Sequence, residues 1–169
     1  MPRKAKASPK SDAADAPHAK SGPSYWLFKT EAEEHSWEMQ KSRGAKGEPW
    51  TGVRNFRARS NMKAMQLGDR AFFYHTGDEK QVVGIVEVCA LAHQDATDDT
   101  GVWKCVDVRA LADVPKPVTL AAAKANPKLA NMALVRTARL SVQPVTPDEW
   151  KEVCRMGGLD PDTLAAAKA

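Results

Sequence analysis

Long apolar runs are missing from this chain of 169 residues. None approaches the roughly 20 residues that span a bilayer, and the N-terminus lacks the apolar middle of a secretory signal. The expectation is a protein that stays where it is made, in the cytoplasm, or in the nucleus of a eukaryote. Cysteine is scarce as well: Cys89, Cys105 and Cys154 are odd in number, far apart and without C-x-x-C spacing. That pattern excludes a disulfide framework and argues against zinc. The three sit in apolar runs and read as buried thiols, so no metal and no cofactor is expected. The chain also has no G-x-G-x-x-G, no G-x-x-x-x-G-K-[ST], no G-x-S-x-G and no internal repeat, which removes classical dinucleotide binding and P-loop hydrolysis from consideration. An excess of one charge is nearly absent too. Of the net +4, residues 1–23 supply +3 through Arg3, Lys4, Lys6, Lys10 and Lys20 against Asp12 and Asp15. What remains is almost neutral, so only a local patch can address a polyanion.

Those first 23 residues hold no large apolar side chain after Met1, cannot bury enough surface to offset their ordering entropy, and read as a disordered basic tail. One domain is expected over residues 24–159, with a short C-terminal extension at 160–169. "SYWLFKTE" reads as a strand, and Ser36 in "HSWEMQKS" as the N-cap of a short helix. "GAKGEPWTG", with three glycines and a proline, reads as a loop. In "RNFRARSNMKAM", Ala58, Met62 and Met65 share one helical face. "RAFFYHT" and "QVVGIVEVCALA" form a hairpin across "GDEK", and "VWKCVDVRAL" and "RTARLSVQPV" are further strands. "VTLAAAKANPKLANMAL" is helical but broken at Pro127. "TPDEWKEVCRMGG" opens on a capping box, Thr146 with Glu149, and stops at glycine. About five strands with helices between and after them give the α+β class: a small curved antiparallel sheet or open barrel.

What the chain does have is tryptophan, five residues against four phenylalanines and two tyrosines. Trp150, on the final helix, is a core residue, and Trp26 and Trp103, placed in strands, are more simply packing than function. Trp50 stands in a loop between Pro49 and Gly52, a poor place to hide a large ring, so binding weighs equally with packing there. Asn55 carries donors and an acceptor that can read a base edge, yet asparagine serves as well for a helix cap, which spacing alone favours. Arg54, Arg57, Arg59 and Lys63 read either as a phosphate-binding rim or as a solvated helix face. Tyr74, His75 and Thr76 end a strand, where polar tips face a cleft. His75 there is a general base, a donor or a plain loop histidine, and no carboxylate lies at an obvious partner spacing.

Taken in order, "YWLFKTE", "WTGVRNFRARSNMKAMQLGDRAFFYHT", "VVGIVEV", "WKCVDVRAL" and "PVTLAAAKANPKLANMALVRTARLSVQPVTPDEW" resemble the EVE domain of the PUA-like superfamily. The resemblance covers roughly residues 24–159 and implies a distorted open β-barrel of five to six strands with surrounding helices, similar to the YTH domain. It implies a non-enzymatic binder of DNA or RNA carrying a modified base, acting as a monomer, with the base flipped into an aromatic pocket. Carried over motif by motif, that pocket is framed by Trp26, Lys29 and Thr30, by Trp50, Val53 and Asn55, and by Tyr74, His75 and Thr76. Phosphates fall to Arg54, Arg57, Arg59, Lys63 and Arg136. Many relatives read Lys-Ser-Glu-Pro where this chain has Lys29-Thr30-Glu31-Ala32, which keeps a hydroxyl and leaves the pocket's size and choice of base open. Two alternatives stand: a small hydrolase of nucleosides or amides using Lys29, Glu31, Tyr74 and His75, and a scaffolding domain.

Overall fold

The computed structural model describes residues 24–161. The expected basic tail at 1–23, and the extension from residue 162 onward, lie outside them. The described chain builds β1 (Tyr25–Thr30), α1 (Trp37–Ser42), a 3-10 turn (Gly44–Lys46), β2 (Glu48–Pro49), α2 (Phe56–Ala64), β3 (Arg70–His75), β4 (Gln81–Gln94) and β5 (Lys104–Thr119). It closes with α3 (Leu120–Ala125), a second 3-10 turn (Pro127–Leu129), α4 (Ala133–Arg136), β6 (Val142–Val145) and α5 (Pro147–Met156). The six strands form one open sheet in the order β2-β5-β4-β3-β1-β6.

The sheet is mixed rather than antiparallel throughout, because β1 runs parallel to β3, with Tyr25 opposite Arg70 and Thr30 opposite His75. Parallel neighbours need a long crossover, and the segment from Glu31 to Asp69, with α1, β2 and α2, supplies it. Both faces of the sheet are covered, which explains the unbroken apolar text of β1 and β3. On one face Trp26, Phe28, Phe73, Val86 and Val108 pack with Trp37, Trp50, Ala58 and Met62 from the crossover. On the other, Leu27, Phe72 and Ile85 pack with Leu129, Met132, Leu134, Trp150 and Cys154 from the C-terminal third. Trp150 is a core residue, its ring stacked on Phe72 at 4.2 Å and on Tyr25 at 4.4 Å.

Several local expectations appear at their places. Ser36 caps α1, accepting from the Met39 N–H, and Thr146 and Glu149 complete the capping box of α5. Asn126 takes an extended conformation before Pro127 and breaks the alanine-rich helix there. β5 runs further than its alternating stretch indicated, through Pro115 and Pro117. β2 pairs with β5 only at Asp107 and Val108, so the prolines fall on a stretch of β5 where the missing N–H breaks no ladder with β2. Trp103 falls one residue ahead of β5, outside the strand. Cys105 and Cys154 are buried, whereas Cys89 is only half-buried.

One glycine is dictated by packing. Gly84 of β4 lies flat against the Trp37 indole, and a Cβ there would overlap the ring. The indole N–H in turn donates to Asp113 Oδ1 at 2.7 Å.

Candidate functional site

The loop that carries Trp50 is held by backbone and by one buried acid. The Trp50 N–H donates to the Val106 carbonyl at 2.8 Å. Gly52, with φ +86°, takes a turn that glycine adopts without strain and donates its N–H to Asp95 Oδ2 at 2.8 Å. Asp95 also accepts from Arg54 Nη1 at 3.1 Å and from the Thr97 amide and hydroxyl. Burial by itself raises the Asp95 pKa, but the hydrogen bonds from Thr97, Gly52 and Arg54 together outweigh it and hold the carboxyl below its ordinary range.

Trp50 is 6% exposed. Its ring lies 4.9 Å from Phe28, 5.6 Å from Phe73 and 5.8 Å from His35, and Phe73 extends the cluster to Trp37 and His75. His35 is half-buried and forms its outer member, with Nε2 2.9 Å from Gln40 Oε1. Gln40 is wholly buried and anchors this arrangement by donating to the Val108 carbonyl at 3.0 Å. His75 Nε2 accepts the Trp37 N–H at 3.0 Å, while Nδ1 lies 2.7 Å from Glu79 Oε1. An acceptor at Nε2 requires the proton on Nδ1, donated to Glu79. Both ring nitrogens are thereby committed inside the protein, leaving neither to take a proton from a substrate. The bond from His75 holds the Glu79 carboxyl below its usual range.

The alternation of strand side chains divides the expected pocket residues. Trp50, Val53 and His75 stand on the same side of the sheet as Phe28 and Phe73, and Thr30 follows Phe28 on that side. Trp26 shares that face but sits four residues back along β1, and its indole N–H donates to the buried Asp69 at 3.0 Å. Lys29 and Tyr74 turn to the opposite face. There Lys29 Nζ donates to the Ala138 carbonyl at 2.6 Å and stands 5.8 Å over the Tyr74 ring, and burial lowers the lysine's pKa. The Thr76 N–H closes the loop by donating to the Thr30 carbonyl at 2.9 Å. Asn55 Oδ1 caps α2, accepting from the Ala58 N–H at 2.8 Å, while the residue remains exposed.

The cations divide likewise. Arg54 is tied to Asp95 and Thr97, and Arg59 Nη1 donates to the Val102 carbonyl at 2.8 Å. Arg57, Lys63 and Arg136 are exposed and form no ion pair among the described residues. Sequence reasoning had no handle on His35, Gln40 or Asp95, because each is significant only through partners distant in the chain. A possible metal donor set, His93, Cys105 and Asp107, also comes together across β4 and β5. It suits an ion poorly: burial pushes the Cys105 thiol up to about 11, and His93 is already 2.8 Å from Asp107.

The model of the EVE domain matches residues 24–156, most of the chain. A crystallised protein from Agrobacterium tumefaciens is 60% identical with a TM-score of 0.79, the match covering 80% of this chain and 94% of that one. Human thymocyte nuclear protein 1 is 30% identical over 170 residues, covering 82% of this chain and 76% of its own. The human protein crystallised in complex with DNA containing 5-methylcytosine superposes with a TM-score of 0.73 over 82% of this chain and 99% of that one. A YTH domain from Zygosaccharomyces rouxii, 16% identical with a TM-score of 0.51 over 83% of this chain and 92% of that one, shares the fold. The chain belongs to the EVE domain family.

Proposed function

We propose that this protein binds DNA or RNA carrying a modified base and holds that base against the Trp50 cluster. The observation that carries the reading is Trp50 itself: an indole set by a rigid loop among Phe28, Phe73 and His35, one turn ahead of a helix capped by Asn55 and flanked by arginines. The 30%-identical human relative in complex with 5-methylcytosine DNA supports it. His35 is the outermost ring of the cluster and the side chain whose displacement opens Trp50 to a planar heterocycle. Thr30, Val53 and His75 line the same side, with Thr76 at its rim. Lys29, Tyr74 and Arg136 serve from the opposite face as backbone contacts, and Trp26 supports the strand from within.

Energetics suit this assignment. Extracting a base costs a few kcal/mol, and stacking on an aromatic ring returns about 1–3 kcal/mol. One buried methyl contributes only about 0.8 kcal/mol, roughly fourfold in affinity, so selectivity also needs a polar group that the wrong base leaves unpaired. The exposed Asn55 amide and the Thr30 hydroxyl are those groups. The protein acts as a monomer and inside the cell, where such nucleic acids are found.

Anisotropy titration of matched oligonucleotides with and without 5-methylcytosine, in DNA and RNA backbones, tests the proposal. A modified oligonucleotide should bind several-fold tighter than its plain counterpart, and Trp50→Ala should abolish that preference. Equal affinity for plain and modified strands across such a panel of modifications would overturn it.

A further inference from the structure

Phe56 is the first residue of α2 and is 60% exposed. A single exposed apolar residue needs no explanation, but Phe56 is not single. Its ring lies 4.7 Å from that of Trp103 with a 32° interplanar angle, and the Arg59 guanidinium sits 4.9 Å from the Phe56 centroid and 5.8 Å from that of Trp103. Arg54 stands 5.8 Å over Trp103 as well. The assembly is fixed before any partner arrives. The Trp103 N–H donates to Asp98 at 2.8 Å, Arg59 to the Val102 carbonyl, and Arg54 to Asp95 and Thr97. Asp95 is paired with Arg54, and Asp98 directs its oxygens to the Trp103 and Thr100 N–H groups and the Thr100 hydroxyl of its own loop. Arg57 and Lys63 of the same helix are exposed and form no ion pair among the described residues.

Resting on the reading proposed above, we infer that Phe56, backed by Trp103 and Arg59, is a second stacking platform that takes the base next to the modified one. A preformed aromatic face costs little ordering entropy to use, every base has a π-face to lay on it, and cations beside the ring meet the phosphate that connects the two nucleotides. Adjacency supports it: Phe56 directly follows Asn55, at the end of the Trp50 loop. An apolar protein surface fits less well, because covering the rings with it would desolvate the nearby cations with no opposite charge to compensate.

The test places 2-aminopurine on either side of 5-methylcytosine in a single strand. Binding should quench its fluorescence on one side. Phe56→Ala should remove the quench and lower affinity for modified and plain strands alike by about 5- to 150-fold, with the preference between them and the melting temperature unchanged. Phe56→Trp should restore both readouts. Unaltered affinity and quench in Phe56→Ala would overturn the inference while leaving the Trp50 reading intact. Loss of the modified-to-plain preference in Phe56→Ala would move the ring into the primary pocket and also overturn it. Failure of every strand to bind the wild type would remove both.

Discussion

Asn55 is committed to one task by geometry and is free for another. Its oxygen caps α2 through the Ala58 N–H, which leaves the amide NH2 of this exposed residue free to donate to a base edge. Serine caps a helix about as well as asparagine but has no such amide. Asn55→Ser should therefore keep the melting temperature while reducing the preference for a modified strand, whereas Asn55→Ala should lose about 1 kcal/mol of stability as well. Thermal melts with paired oligonucleotide titrations separate the two roles, and full affinity in Asn55→Ser would reduce Asn55 to a cap. His75 teaches the converse. From the sequence it was open between base, donor and plain histidine, and it is the Trp37 N–H and Glu79, 38 and 4 residues away, that commit both nitrogens.

At the scale of elements, the period-2 rule decides which neighbours in sequence are neighbours in space. Tyr74 and His75 are adjacent in the chain yet face different cores, as do Phe28 and Lys29. A list of candidates taken from consecutive residues of a strand is split in this way whenever both faces are covered. Helix signals were more legible. The Ala58 and Met62 stripe of α2, the Ser36 cap and the Thr146–Glu149 box are local devices, readable because their partners lie within one turn. The Gly84–Trp37 contact joins β4 to α1 across the fold and carries no local signal. Gly84→Ala forces the indole off the strand, disturbing its bond to Asp113 and, through the Trp37 N–H, the His75–Glu79 pair. Overpacking of this kind costs about 1–3 kcal/mol, and the melting temperature should fall by roughly 3–10 °C. A melting temperature equal to wild type would show that Trp37 has room to move.

Across the whole molecule, charge is close to balanced outside the first 23 residues, so any affinity for nucleic acid comes from placement rather than excess. Among the proposed phosphate and backbone contacts, Arg57, Lys63 and Arg136 are exposed and form no ion pair with the described residues, whereas Arg54, Arg59 and Lys29 are held by protein oxygens. With about 0.7 counterion released per phosphate on a single strand, the logarithm of affinity should fall with that of salt concentration at a slope of about −2. A flat dependence would remove the phosphate role, and a slope near −4 would bring Arg54 and Arg59 back into contact with the strand. The sequence by itself determined most of the element types and the caps, because hydrophobic period, capping and turn chemistry act over a few residues, and its ordered motifs carried the resemblance to the family. Only the tertiary structure decided that β1 and β3 run parallel, which face each candidate occupies, that the His35 ring meets Trp50 edge-on and that Phe56 meets Trp103. These depend on the crossover from Glu31 to Asp69 and on contacts between residues tens of positions apart, and no local pattern encodes that closure.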